Sequence, residues 1–335
     1  MTMAREPARF RPKIYPPPEF PPRRVPLFSR TPPAIFPPIL GLLGLVAAMR
    51  LGIGKLGLAP GIGDLATGLV LPLWGFAMCI YIAKMIRRIS VIEDDLKVMP
   101  ARAGLAAATM GGMVAAGLLS DLAPRPATGI LVAMLVLHSL LVLLTVRTLA
   151  GLPPEARGVN PGWHMTFAGF VVAAPAAQSL GLPDLAGLLF LVSLPAAVAI
   201  WSVSLWQVTR HIPAAPLRPM LAFHLFPAAF LVMAASLTGH ELLATVFAWA
   251  LLVLLLAAGA ALRWITVAGF SPLWGAFGFP LAAAATALLL QGGALGWAGL
   301  ALLVPGLAVV PWIALRILRL WPGGRLAART NAAEA

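Results

Sequence analysis

The chain has 335 residues, of which 60% are hydrophobic and only 10% are charged, and its formal net charge is +13. Soluble domains carry about a quarter of their residues as Asp, Glu, Lys and Arg, so this composition excludes an ordinary soluble domain and predicts a protein embedded in lipid. The basic residues cluster at the ends of apolar runs, which favours membrane topology over nucleic-acid binding as their explanation.

Residues 1–33 form a tail that is rich in proline and arginine and lacks the apolar core of a signal peptide. A proline-rich segment of this kind is predicted to be extended and largely disordered. Two interpretations stay open: the tail lies on an anionic membrane surface through its basic residues, or it is solvated and has no partner. Residues 321–335 are predicted to form a second tail.

Ten apolar runs lie between the two tails, and each is close to the length that an α-helix needs to cross a bilayer. They are 34–51, 66–88, 103–120, 127–147, 163–181, 185–208, 219–238, 241–262, 271–291 and 295–318. The run from Leu242 to Leu262 is apolar on every face, which indicates helices rather than the alternating strands of a barrel. The predicted fold is therefore all-α and integral to the membrane.

The basic residues alternate between the two sides of these ten spans. If the N-terminus is cytoplasmic, every Lys and Arg falls on the cytoplasmic side except Arg50, Lys55 and Arg125. Such an asymmetry is the positive-inside pattern. It predicts an even number of spans, with both termini in the cytoplasm.

The spans pair into five hairpins, and the first member of each pair carries helix-breaking residues. These residues are Pro37 and Pro38, Gly111 and Gly112, Pro175, Pro227, and Pro280. Proline removes a backbone hydrogen bond, and such breaks occur in membranes where they are buried or face a water-filled path. A ring of five kinked helices inside five outer helices would explain the pattern. The alternative is that glycine and proline are simply common in membrane helices.

No span has an acidic or basic residue near its centre, whereas proton- and sodium-coupled carriers commonly use carboxylates there. This favours passive flow through an uncharged pore. His164 and His224 are the candidate titratable residues within spans, although the simpler interpretation of each is a hydrogen-bonded packing residue. The single cysteine, Cys79, and the lack of hydrolase, nucleotide or metal-binding motifs predict no enzyme activity, no cofactor and no metal.

Four spans carry motifs of a known family. They read IFPPILGLLGL from Ile35, NPGWHMTFAGFVVAAPAAQSLG from Asn160, RPMLAFHLFPAAFLVMAASL from Arg218, and SPLWGAFGFPLAAAATA from Ser271. The chain resembles, over about residues 34–320, the tellurite-resistance/C4-dicarboxylate transporter family, which includes the slow anion channels of plant guard cells. It departs from the family pattern at Gly275, where many relatives have Trp, and in the third span, which has a glycine pair in place of a clear proline.

The resemblance implies a fold, an assembly and a gate. Ten helices would form five hairpins around a pseudo-fivefold central pore lined by the odd spans, with breaks near Phe36 and the residues named above. The family forms homotrimers with one pore per subunit, and its occluding Phe corresponds to Phe279 here. The residue-level alternative for Phe279 is ordinary packing.

The leading hypothesis is a passive anion channel of the bacterial inner membrane, with small inorganic or organic anions as its partners. The alternative is a secondary carrier or exporter of an oxyanion or a C4-dicarboxylate, proton-linked through His164 or His224. A membrane enzyme or a structural partner protein is the third hypothesis, and no motif supports it.

Overall fold

The computed structural model describes residues 26–335, and the regular structure of this part of the chain is entirely helical. Its α-helices are α1 (Phe36–Lys55), α2 (Gly61–Arg87), α3 (Val91–Lys97), α4 (Met99–Leu119), α5 (Pro124–Gly151), α6 (Ala174–Ser179), α7 (Pro183–Val208), α8 (Leu225–Leu237), α9 (Glu241–Ala260), α10 (Leu262–Ile265), α11 (Gly275–Gln291), α12 (Gly293–Leu318) and α13 (Arg325–Thr330). Most of the predicted N-terminal tail, residues 1–25, lies outside the described residues.

Nine helices within residues 26–335 are long and apolar enough to cross a membrane. The fifth predicted span, 163–181, is not among them because it is built from three short consecutive pieces. These are a π-helix (His164–Ala168), a 3₁₀ helix (Gly169–Ala173) and α6. We call residues 164–179 the composite segment. The all-helical class is confirmed, and the count of ten spans remains a prediction.

Burial divides the long helices into two sets. In one set, 61% to 83% of the apolar stretch is buried; it consists of α1, α4, α8 and α11, counted together with any 3₁₀ turn that precedes them. In the other set only 17% to 33% is buried; it consists of α2, α5, α7, α9 and α12. The composite segment belongs with the first set because most of its residues are buried. We call the first set, with the composite segment, the five inner segments, and the second set the outer helices. The exposed apolar side chains of the outer helices are suited to contact with lipid.

Each inner segment packs against the outer helix that follows it in the chain. The inner segments also contact one another in a closed order. Helix α1 contacts α4, α4 contacts the composite segment, the composite segment contacts α8, α8 contacts α11, and α11 returns to α1. The most intimate of these contacts joins α1 to α11, where a Cβ atom built on Gly41 would lie 3.2 Å from the Cα of Gly278.

Glycine makes most of the turns between an inner segment and its outer helix. Four of the five connections contain a glycine with positive φ: Gly57, Gly181, Gly239 and Gly292. A left-handed residue just past a helix ends it and reverses the chain, and glycine adopts that conformation without steric cost. Prolines in the first turn then open α5 and α7, where a missing N–H breaks no helical hydrogen bond.

Both described ends of the chain lie on one face of the bundle, which we call the tail face. The Arg30 side chain forms an ion pair with Glu334 at 2.8 Å, and the Ala335 N–H donates to the Ser29 carbonyl at 3.1 Å. Helix α13 packs against the turns at Pro33–Ile35 and Pro272–Trp274, and its Leu326 is fully buried. The C-terminal residues are therefore docked onto the bundle.

A buried ion pair anchors this docking. Lys84 and Asp95 are both fully buried, and Lys84 Nζ lies 3.3 Å from Asp95 Oδ2. The Tyr81 hydroxyl donates to the same carboxylate oxygen at 2.9 Å, and Lys84 also donates to the Thr31 carbonyl at 2.9 Å. The other oxygen of Asp95 accepts the N–H of Ala333 at 2.9 Å. Asp95 thus connects α2, α3 and the C-terminal residues.

Candidate functional site

A cavity of about 370 Å³ lies between the five inner segments, on the side away from the tail face. All five inner segments contribute to its lining, and the outer helices contribute nothing. The lining residues are Gly44, Ala47, Arg50 and Leu51 of α1; Met113, Val114, Gly117 and Leu118 of α4, with Asp121 just beyond it; Val172, Pro175, Ala176 and Ser179; Phe230 and Met233 of α8; and Phe279, Ala283 and Thr286 of α11. We call this space the main cavity.

Phe279 bounds the inner end of the main cavity. Its side chain is 1% exposed and stacks on Phe230 of α8, with ring centroids 5.5 Å apart and planes inclined by 29°. The Phe226 ring lies 5.7 Å away on the same helix. On its other side the Phe279 ring faces α1 at Gly44, where an added Cβ would lie 3.2 Å from Phe279 Cδ2. The ring is therefore held between α8 and α1.

A second, much smaller cavity lies on the tail-face side of Phe279. It measures about 20 Å³, and its lining includes Pro37, Phe223 and Ala276. Each of these residues precedes, in its own segment, the residue that contacts or forms the Phe279 ring: Gly44 in α1, Phe226 in α8 and Phe279 itself in α11. Thr330 of α13 also lines it. Along α11, Ala276 lines the small cavity, whereas Phe279 and Ala283 line the main one.

Charged side chains line the main cavity only near its mouth. Arg50 Nη1 lies 2.9 Å from Asp64 Oδ1, and Arg50 Nη2 lies 3.7 Å from Asp121 Oδ2. Both carboxylates are more than half exposed, so these ion pairs are strongly screened by solvent. The hydroxyls of Ser179 and Thr286 donate to carbonyls of their own helices, and the lining residues closer to Phe279 are all apolar. The inner half of the cavity is consequently apolar.

Arg50 and Asp121 are cavity residues that the sequence analysis did not identify as such. A signal was available, because Gly44, Ala47 and Arg50 follow one another at three-residue intervals and so share one face of α1. Asp121 follows the end of α4 and has no comparable signal in the sequence.

Most of the predicted break prolines stand at the start of an α-helix. Pro37 and Pro38 stand in the first turn of α1, Pro175 is the second residue of α6, and Pro227 is the third residue of α8. In each case a 3₁₀ helix precedes the α-helix. Proline fits there because the first N–H groups of a helix have no intrahelical partner. Of the predicted prolines, Pro280 alone stands well inside its α-helix.

The glycine pair of the third span does not break its helix. Helix α4 continues through Gly111 and Gly112, since glycine keeps the N–H that proline lacks. Both glycines face outward: added Cβ atoms would collide with Trp74 of α2 at both positions, and with Met134 of α5 at Gly112. The pair therefore provides space for the outer helices and does not line the main cavity. Phe36 does not line it either, and packs edge-on against Tyr81 at 5.8 Å.

The two candidate histidines lie together, away from the main cavity. His164 Nε2 is 2.9 Å from His224 Nδ1, and the indole N–H of Trp201 donates to the His224 carbonyl at 3.2 Å. No sequence pattern indicates this pairing, because the two residues are far apart in the chain. Their contacts join the composite segment to α7 and to the start of α8, and neither residue lines the main cavity.

Comparison with known proteins places this architecture in a family. Residues 30–318 match the model of the voltage-dependent anion channel family, SLAC1. The chain belongs to this family. The resemblance inferred from four spans is thereby confirmed. A comparison with curated proteins finds no match.

Membership of the SLAC1 family supports anion channel or transport activity in general. With the nine long apolar helices it also supports a multi-pass membrane protein that contacts lipid. The family is one of channels and transporters and is not enzymatic. The main cavity between the inner segments is the candidate site for this activity.

Proposed function

We propose that the protein is a passive anion channel of the bacterial inner membrane whose pore is closed by the Phe279 side chain. One observation carries this proposal: the Phe279 ring is held between Phe230 and Gly44, at the boundary of the two cavities. A hydrophobic ring in a narrow apolar passage excludes ions by its bulk and by removing water. Movement of this single side chain would join the two spaces.

The proposed pore crosses the membrane along a pseudo-fivefold axis between five helical hairpins. The closed order of contacts among the inner segments and the contact of each with its outer helix support this arrangement. The composite segment takes the place of the one inner helix that is not a long α-helix. Because 3₁₀ residues rise about 2.0 Å each, its 16 residues span on the order of 25 Å, which approaches the thickness of the hydrocarbon core.

The tail face is proposed to be cytoplasmic. This orientation agrees with the positive-inside distribution of the basic residues, and it places the mouth of the main cavity, with Arg50, on the outer side. The predicted tails at 1–33 and 321–335 would then both be cytoplasmic. By analogy with the family, three subunits would assemble as a homotrimer, with one pore in each.

Selection for anions follows from the absence of uncompensated acids along this path. The carboxylates at the mouth, Asp64 and Asp121, both lie beside Arg50, and no lining residue of either cavity deeper than these carries a charge. The net charge is +13, and the positive-inside pattern assigns most of the basic residues to the cytoplasmic side, where they would raise the local concentration of anions.

The proposal is tested by replacing the ring. Phe279→Ala should raise chloride and nitrate flux into proteoliposomes by about tenfold or more, because the apolar barrier is lost. Phe277→Ala is the matched control: it removes the same ring from the same helix, but Phe277 packs against Trp274 and lines neither cavity. Gluconate should stay impermeant in both variants.

The carrier hypothesis makes the opposite prediction. If Phe279→Ala and Phe277→Ala behave alike, and uptake of an oxyanion or a C4-dicarboxylate such as tellurite or malate saturates and follows a pH gradient, the channel proposal fails. Since His164 and His224 do not line the main cavity, a proton-linked carrier would have to move the His164–His224 pair into the path.

A further inference from the structure

A third cavity, separate from the proposed pore, lies where α4, α5 and the entry to the composite segment meet. Its volume is about 10 Å³, close to the space of one water-sized probe. It is lined by Met99, Arg102, Thr145, Asn160, Gly162, Trp163, Thr166 and Phe167. None of these residues lines the main cavity. We call this space the Arg102 cavity.

Three polar groups of its lining that can donate a hydrogen bond are buried and have no partner among residues 26–335. They are Nη1 of Arg102, Oγ1 of Thr145 and Nε1 of Trp163. The Arg102 residue is 7% exposed and Thr145 is 2% exposed. Each sits on a different element, and each lines the same small space. Buried polar groups in native proteins are nearly always paired with protein or with a bound species, so this convergence points to a ligand.

The charge balance of the cavity is also incomplete. No carboxylate of residues 26–335 forms an ion pair with Arg102, and no described residue accepts a hydrogen bond from its guanidinium. An arginine keeps its charge under all ordinary conditions. A buried charge without a counter-charge is strongly destabilising, and a bound anion would remove that penalty.

Two oxygens of the lining already accept one hydrogen bond each. The side-chain oxygen of Asn160 accepts the N–H of Gly162 at 3.0 Å, and the Thr166 carbonyl accepts from His138 Nε2 at 3.0 Å. The groups of the lining that lack a partner offer more donors than acceptors, because among them only the Thr145 hydroxyl can also accept a hydrogen bond. Such a set suits an anion. Arginine and tryptophan side chains supply donors only.

We propose that the Arg102 cavity binds a single halide ion, chloride under physiological conditions. The guanidinium supplies the counter-charge, and the Thr145 hydroxyl and the Trp163 indole N–H complete the donor set. The small space suits a monatomic ion better than a polyatomic anion such as nitrate or phosphate. Because its ligands come from α4, α5 and the residue just before the composite segment, the bound ion fixes the entry of that segment against the neighbouring hairpin.

The first test is halide-dependent stability of the purified full-length protein. Replacing sodium gluconate by sodium chloride at constant ionic strength should raise Tm by about 3–6 °C, as expected for a ligand that binds only the folded state. Arg102→Met and Thr145→Val should lose this shift. Arg125→Met is the matched control, since Arg125 is exposed, and it should keep the shift.

The second test locates the ion and does not depend on those variants folding. Crystals grown in sodium bromide should show an anomalous peak within the Arg102 cavity. A Tm that does not respond to chloride, together with the absence of a bromide peak, would mean that the cavity holds only water and would overturn the proposal. Arg102-dependent stabilisation by anionic lipid without halide would overturn it in favour of a lipid phosphate.

The channel proposal can fail without affecting this inference. Phe279→Ala should keep the full chloride-dependent Tm shift, whatever its transport activity, because Phe279 and Arg102 line different cavities. Loss of the shift in Phe279→Ala but not in Arg102→Met would assign the halide to the main cavity and contradict the proposed site.

Discussion

Asp95 illustrates how strongly one side chain can influence a membrane bundle. It is fully buried, it lies against the equally buried Lys84, and it accepts hydrogen bonds from Tyr81 and from the backbone of Ala333. Removing one partner of such a pair leaves the other charge buried without compensation, which costs far more than the pair contributes. Neighbouring Asp94 offers a contrast, since its ion pairs with Arg88 and Lys97 are on the surface.

We predict that Asp95→Asn lowers the free energy of unfolding by about 3–5 kcal/mol, because Lys84 then stays buried beside a neutral side chain. Asp94→Asn, its matched control, should cost less than about 1 kcal/mol. Thermal or denaturant unfolding of both variants in the same detergent measures the difference. Equal stability of the two variants would show that Lys84 and Asp95 are not buried as a pair.

For single residues, the sequence can indicate which side chains are candidates for function but not which side chains they contact. A motif singles out Phe279, whereas its neighbours Phe230 and Gly44 come from other helices and leave no local signal. The pairing of His164 with His224 and the buried donors around Arg102 were missed for the same reason. Tertiary contacts between distant segments are not encoded in any short pattern.

At the level of secondary-structure elements, the helical hairpins depend on small residues for close packing. Between α11 and α12, a Cβ built on Gly299 would lie 2.7 Å from the Leu289 backbone nitrogen and 2.9 Å from the Ala285 carbonyl oxygen. These are backbone atoms of the facing helix and cannot rotate away. In membranes such close approach is a main source of helix association.

Gly299→Ala should therefore force α11 and α12 apart and lower the free energy of unfolding by about 1–3 kcal/mol. Gly187→Ala makes the same change within α7 at a position where nothing lies within 4 Å, and it should be neutral or slightly stabilising because alanine favours helix. Tm values for the two variants measure the contrast. A Gly299→Ala protein as stable as the Gly187→Ala protein would mean that the two helices are not in close contact.

The elements were predicted well where one strong signal dominated. Nine of the predicted apolar runs correspond to long helices, since hydrophobic length alone identifies a spanning helix. The composite segment was predicted as one more span of the same kind, but its π and 3₁₀ turns depend on contacts with α4, α7 and α8, which hydropathy does not report. The glycines at four hairpin turns mark where each inner segment ends, and hydropathy alone does not use this signal.

The topology of the whole molecule depends on whether the composite segment crosses the membrane. Glu155 precedes it, Asp184 follows it, and both are exposed. With ten crossings the two residues lie on opposite sides, whereas with nine they share a side.

We predict that, in a Cys79→Ser background, Glu155→Cys reacts with a membrane-impermeant maleimide only after spheroplasts are lysed. Asp184→Cys should react in intact spheroplasts, because the mouth of the main cavity is proposed to face outward. Ser90→Cys and Glu241→Cys provide matched controls for the inner and outer sides. Labelling of Glu155→Cys and Asp184→Cys from the same side would exclude the tenth crossing.

The close contact of Gly41 with Gly278 has a consequence for biogenesis. It joins the first inner segment to the last one synthesised, so the groove between α1 and α8 stays open to lipid until the final hairpin enters the bilayer. Phe279 is the residue next to Gly278. In the proposed channel, the segment that completes the bundle therefore brings the blocking side chain with it, and an unfinished nascent chain would not enclose an open path for ions.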